Sequence, residues 1–179
     1  MKTIAISRVG HIDSRQLAEL SDLLIDCVEG GASVSFLHPL SRDTASAFWV
    51  SVSKELAQGH RALIIAEDEK GVCGTVQLIL NLPENQPHRA DLAKMLVHRR
   101  ARKMGLGASL LLSAESTALE CGKTLLVLDA VTDGDAARLY ERGGWSRVGD
   151  VPGYALMPDG VPCSTTYYYK DLRQECFSG

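Results

Sequence analysis

The chain has 179 residues, 45% of them hydrophobic and 23% charged, with a formal net charge of −3, which is enough for one domain that buries roughly 70% of its unfolded surface. A net acidic surface argues against nucleic acid and anionic membranes as partners, and no apolar run reaches the ~20 residues of a membrane span. Five cysteines (Cys27, Cys73, Cys121, Cys163 and Cys176) show no C-x-x-C spacing, so they read as buried reduced thiols of a cytoplasmic protein, and no sequence feature singles one out as a nucleophile.

The start MKTIAISRVGHID lacks the apolar core of a signal peptide. Thr3 to Val9 alternates as a strand, and Asp13, with Gln16 three residues on, is placed to cap a helix that ends at Gly30-Gly31. Ala32 to Leu40 reads as a loop, and Ser41 caps a second helix to about Gln58. A hairpin follows, with strands Ala62 to Glu67 and Val72 to Asn81 around Asp68-Glu69-Lys70-Gly71. Arg89 to Val97 is a strand and Gly105 to Cys121 a helix, while Leu125 to Leu128 has the apolar run of a buried central strand. Asp135 to Gly143 is a short helix, and Trp145 to Val151 and Thr165 to Asp171 are the last strands. Strands and helices do not alternate strictly, so the pattern predicts a mixed α/β sheet with helices on both faces, in one domain over residues 1–179.

The chemistry concentrates in Met95 to Leu112. A strand ending at Met95-Leu96-Val97 leads into a basic loop, His98 to Met104, and then into Gly105-Leu106-Gly107 at a helix start. Amides at a helix N-terminus lack intrahelical partners and carry partial positive charge, so they bind phosphate oxygens. Glycine removes the Cβ that would obstruct a large anion, and Arg102 and Lys103 add formal charge. A dinucleotide fingerprint fails because Leu110 stands at its third glycine, and a Walker A loop fails because Thr117 stands at its first. A nucleic-acid patch would use the arginines but needs stacking aromatics, which are 6% of this chain. The plainest alternative is a helix start with solvated arginines.

Arg102-x-x-Gly105-x-Gly107 after an apolar strand resembles the acyl-CoA signature of the GNAT superfamily of N-acetyltransferases, and the element order resembles that family along nearly the whole chain. The resemblance implies acetyl-CoA as the donor and no metal. It implies that amides around Arg102, Lys103, Met104, Gly105, Gly107 and Ala108 hold the pyrophosphate, and that Met95 and Val97 hydrogen-bond the pantetheine arm. Asp133 to Trp145 is similar to the family's second segment, with Ala136, Leu139, Tyr140, Gly144 and Trp145 in register. That similarity implies a coenzyme contact at Asp133 and Ala136 and makes Tyr140 the acid that protonates the departing thiolate. A core aromatic with a satisfied hydroxyl is the alternative for Tyr140. The sequence departs from the family at Asp133, where Asn is common, and at Arg99, where proline is common.

An acceptor amine must lose a proton before it attacks, and carboxylates near the cradle strand are the candidates. Asp129 ranks first and Asp91 second; Glu84 and His88 lie in the preceding loop. The family implies that the acceptor meets Ala32 to Leu40 and Gly153 to Cys163, so Phe36, His38, Trp49, Tyr154 and Met157 are candidate pocket residues. Similarity over the whole chain extends to members that acetylate a β-lactam amino-acid toxin, which implies a small amino-acid-like amine as acceptor and a role in toxin (antibiotic) resistance. Acetylation of a protein N-terminus or lysine, and a non-catalytic acyl-CoA-binding module, stand as alternatives. Whether two copies pair as a homodimer is left open by the sequence.

Overall fold

The computed structural model describes residues 4–173; Thr3 and Cys176 lie outside them. The elements are β1 (Ala5–Val9), α1 (Ser14–Glu29), α2 (Arg42–Ala57), β2 (Arg61–Asp68), β3 (Gly71–Ile79), β4 (Arg89–Val97), α3 (Leu106–Glu120), β5 (Leu125–Val131), α4 (Asp135–Arg142), β6 (Ser146–Leu156) and β7 (Pro162–Asp171). One 3-10 turn, Arg99–Ala101, interrupts the basic loop.

The seven strands form one mixed sheet in the order β1-β2-β3-β4-β5-β7-β6. Every neighbouring pair is antiparallel except β4 and β5, which run parallel. Alternation along the strands divides the apolar side chains between two cores. Leu63 and Ile65 of β2 face α1 and α2, where they pack with Leu20, Leu23, Leu24 and Trp49. Ala62, Ile64 and Ala66 face the other way, toward Leu110, Leu111 and Ala114 of α3 and Tyr140 of α4. Each fully buried leucine contributes about 1.5–3 kcal/mol, so both helical layers are held by their apolar faces.

Two expectations are corrected. β5 is not buried throughout: Leu126 and Leu128 are buried, but Leu125 and Val127 are half-buried and Asp129 is exposed. The reason is that one face of β5 borders a gap rather than a helix. The strand expected over Trp145 to Val151 runs further, because β6 continues through Pro152 and Gly153 to Leu156. The register shifts between Val151 and Ala155, at an exposed sheet edge where Pro152, which has no N–H to donate, costs the ladder no bond.

Candidate active site

The central feature is the parting of β4 from β5. Only Arg89, Ala90 and Asp91 pair with β5, opposite Leu125, Leu126 and Val127. On its other side β4 stays with β3 to Val97, but Lys94 and Met95 together oppose Val76 alone, because the register jumps from Gln77↔Ala93 to Thr75↔Leu96. Such a bulge turns the strand, and Lys94 sits in it at φ 50°, a left-handed value uncommon for a side chain of this size. Past Asp91 the β5-facing edge of β4 has no strand partner among the described residues.

At the end of β4 the chain enters α3 without a side-chain cap. Gly105 is the N-cap, at φ 79°, a conformation that favours glycine. Among the described residues, the amides of Arg102, Lys103, Met104, Gly105, Leu106, Gly107 and Ala108 donate to no protein acceptor, and the first bond of this turn is Ser109 N–H to the Gly105 carbonyl, at 3.2 Å. Arg102 through Gly105 and Ala108 are exposed. A run of unpaired amides opening to solvent at the positive end of a helix is what a pyrophosphate requires.

Gly107 has a different reason from Gly105. A Cβ there would meet Leu139 Cδ2 of α4 at 3.1 Å, so its small size lets α3 and α4 approach. The basic run is also largely engaged elsewhere. Arg99 pairs with the nearly buried Asp26, and Arg100 with Asp68, at 3.1 Å, and with the Gly71 and Val72 carbonyls. Arg102 turns back: its Nε donates to the Val97 carbonyl at 3.1 Å, and its guanidinium lies against Gly30 at the C-terminal end of α1, where helix carbonyls attract a cation. Val97 also accepts from Cys27 Sγ at 3.6 Å, so its carbonyl is committed to the protein. Lys103 has no ion-pair partner among the described residues and stands at φ 61° beside the open amides.

Asp133 occupies φ 59° just before α4. Asp and Asn tolerate this left-handed backbone better than other side chains, so the exchange of one for the other preserves the turn. Asp133 and Ala136 are both exposed at the start of α4. Tyr140, one turn further, is buried, with its ring 5.7 Å from that of Trp145 and 6.1 Å from that of Tyr168. Its hydroxyl donates to no described residue. Burial pushes its phenol above the ordinary value, and the nearby Asp129 charge adds to the rise. This position is held by a network not foreseen from sequence. Trp145 Nε1 donates to the buried Glu115 at 2.9 Å, and Lys170 Nζ donates to Glu115 at 2.8 Å and to the Gly143 carbonyl at 3.0 Å. Glu115 in α3, Trp145 in the turn after α4 and Lys170 in β7 lie far apart in the chain, so no local pattern announces them.

Asp129 lies two residues past the last β4–β5 pair, opposite Tyr167 of β7. Its carboxylate has no ion pair or side-chain hydrogen bond among the described residues. Desolvation raises its pKa above the ordinary aspartate value, against the pull of Lys94. Asp91, in contrast, is paired with Arg89. Glu84 and His88 are exposed before the start of β4, at the end remote from Met95 and Val97.

Around the gap, Phe36 and Phe48 pack edge to face at 5.5 Å, and Tyr154 and Tyr167 share a hydroxyl contact of 2.9 Å that helps push the Tyr167 phenol up to about 12. Trp49 is fully buried, so it belongs to the core and not to a pocket wall. The loop after α1 meets the β6–β7 turn: His38 N–H donates to the Pro158 carbonyl at 2.9 Å, and Ser33 Oγ to the Leu156 carbonyl at 3.1 Å. Among the described residues no cluster of metal-ligating side chains is found, and no helix is long and apolar enough to cross a membrane.

Comparison with known proteins agrees with this architecture. Residues 18–145 match the model of the acetyltransferase (GNAT) family. An uncharacterized N-acetyltransferase from the hisH-hisA intergenic region of Azospirillum brasilense is 27% identical over 131 residues, 72% of this chain and 76% of that protein. Among solved structures, yncA from Salmonella typhimurium, with its cofactor acetyl-CoA, superposes with a TM-score of 0.76 at 18% identity, over 94% of both chains. A ribosomal-protein-alanine N-acetyltransferase from Brucella melitensis superposes at 0.77 with 20% identity, over 94% of this chain and 99% of that one. An N-acetyltransferase from Staphylococcus aureus Mu50 superposes at 0.78 with 17% identity, over 95% and 99%. Read with the parted strands and the uncapped helix, these matches lead to one conclusion: the chain belongs to the GNAT acetyltransferase family and is an acetyl-CoA-dependent N-acetyltransferase.

Proposed function

We propose that the chain transfers acetyl to the primary amine of a small amino-acid-like acceptor, and that this acceptor is the toxin tabtoxinine-β-lactam, which makes the enzyme a cytoplasmic toxin-resistance factor. The specific acceptor rests on resemblance of the whole sequence to the tabtoxin resistance protein. The observation that carries the reading of the site is the unpaired Asp129 carboxylate at the mouth of the β4–β5 gap, with the buried Tyr140 hydroxyl close enough to feel its charge. The contacts of His38 with Pro158 and of Ser33 with Leu156 bridge the rim, which favours a small acceptor over a peptide lying across an open groove.

In this reading the amides from Arg102 to Ala108 bind the coenzyme pyrophosphate, with Lys103 adding charge, and Asp133 and Ala136 flank it from the start of α4. The exposed edge of β4 around Met95 and Val97 lies along the pantetheine arm. Bound acetyl-CoA supplies the acetyl group and a thiol leaving group. Asp129 draws in the ammonium of the acceptor and takes its proton, directly or through water; Asp91, neutralised by Arg89, is the weaker candidate. Tyr140, kept protonated by burial, holds its proton at Oη and gives it to the departing sulfur as charge develops there.

Tyr140→Phe tests the assignment. Transfer to tabtoxinine-β-lactam is expected to slow by about 10²-fold or more, with acetyl-CoA binding nearly intact. An unaltered rate removes Tyr140 from the mechanism, and acetylation of peptides but not of the amino acid refutes the acceptor class.

A further inference from the structure

The gap contains one cation that the mechanism above leaves unused. Lys94, set in the bulge of β4, points its Nζ at Ser35 Oγ, 2.9 Å away, and lies 5.7 Å from the centre of the Phe48 ring. It is half-buried, and no carboxylate among the described residues lies within ion-pair distance of it. The neighbouring cations are already neutralised: Arg61 pairs with Glu55 at 2.7 Å, and Arg89 with Asp91. Gln77, opposite Ala93 beside the bulge, is fully buried; its Oε1 accepts from Arg61 at 2.5 Å, and its Nε2 has no acceptor.

A half-buried ammonium without a counter-ion is costly, and a buried amide donor without an acceptor adds to the cost. The first cost is relieved by an anionic group bound beside Lys94. An ammonium has three donors, and Ser35 takes only one of them. On the opposite bank Asp129 is the complementary unpaired charge, near enough for each to act on the other.

We propose that Lys94 binds the carboxylate of the acceptor, with Ser35 and Phe48 holding its side chain, so that the amine of a zwitterionic amino acid is directed to Asp129. This rests on the small-acceptor reading above and specifies it: the substrate is a free amino acid, and its carboxylate is required for recognition.

The test measures thiol release from acetyl-CoA with tabtoxinine-β-lactam and the twenty free amino acids, each beside its carboxamide. Wild type is expected to prefer at least one acid over its amide by about tenfold or more in kcat/KM, the scale of one charge-assisted contact. Lys94→Met is expected to abolish that preference through KM, with acetyl-CoA affinity and circular dichroism unchanged, and Lys94→Arg to restore part of it. Ser35→Ala keeps the charge and is expected to raise KM for the acid but not for the amide. Equal use of acid and amide by wild type, or a preference that survives in Lys94→Met, overturns the proposal and leaves the small-amine reading standing. Transfer to no free amine overturns that reading, and this inference with it.

Discussion

Two helix starts in this molecule are built in opposite ways. At α1 the Asp13 side chain accepts the Gln16 amide at 2.7 Å, and the Gln16 side chain accepts the Asp13 amide at 3.2 Å, so the end is closed. At α3 Gly105 provides no side chain, and the amides before and after it are left without acceptors. A cap contributes about 1 kcal/mol. Its omission at α3, where the chain also adopts left-handed angles at Lys103 and Gly105, costs the helix stability and suits the proposed pyrophosphate site.

The contrast can be broken from either side. The largest effect is expected from Gly107→Glu, which places a carboxylate at the open end and a Cβ against Leu139. Acetyl-CoA affinity should fall by about 100-fold or more, roughly 2.8 kcal/mol, in a calorimetric titration; affinity within a few-fold of wild type would deny that end its role. Asp13→Ala should do the converse, with a loss of about 1 kcal/mol in urea unfolding and no change in coenzyme affinity. The smallest effect concerns Asp129. Its pKa is raised on folding, so the native state holds the proton more tightly and stability falls as pH climbs through the window above the ordinary value of 3.8. At neutral pH the carboxylate is therefore a net cost. Asp129→Asn should raise Tm slightly at pH 7, and the gain should vanish in acid below that window. The same variant should remove the acidic limb of the kcat/KM profile, along which wild-type activity falls as Asp129 becomes protonated.

What was legible in the sequence is what depends on neighbours in the chain. The caps at Asp13 and Ser41 form as their spacing predicts, β4 spans Arg89–Val97 as its pattern predicts, and the glycines at the start of α3 mark the open turn. Partnerships between distant segments were not legible. Arg99 and Arg100 read only as members of a basic loop, and their counter-ions, Asp26 and Asp68, lie 73 and 32 residues away. The strand expected to end at Val151 continues through Pro152-Gly153 to Leu156, because an edge strand tolerates that pair through a bulge. Lys94 is one lysine in a strand, and only the register jump, Ser35 and Phe48 distinguish it from a solvated side chain.

Among the described residues, the β4–β5 ladder that joins β1–β4 to β5–β7 within the sheet has three register pairs. The sheet is thus two half-sheets on a short seam, and heat should separate them there before either half loses its own ladder. A molecule lodged in the fissure and bonded to both lips supplies the missing rungs, so resistance to melting should climb with the logarithm of acetyl-CoA concentration once its sites are filled.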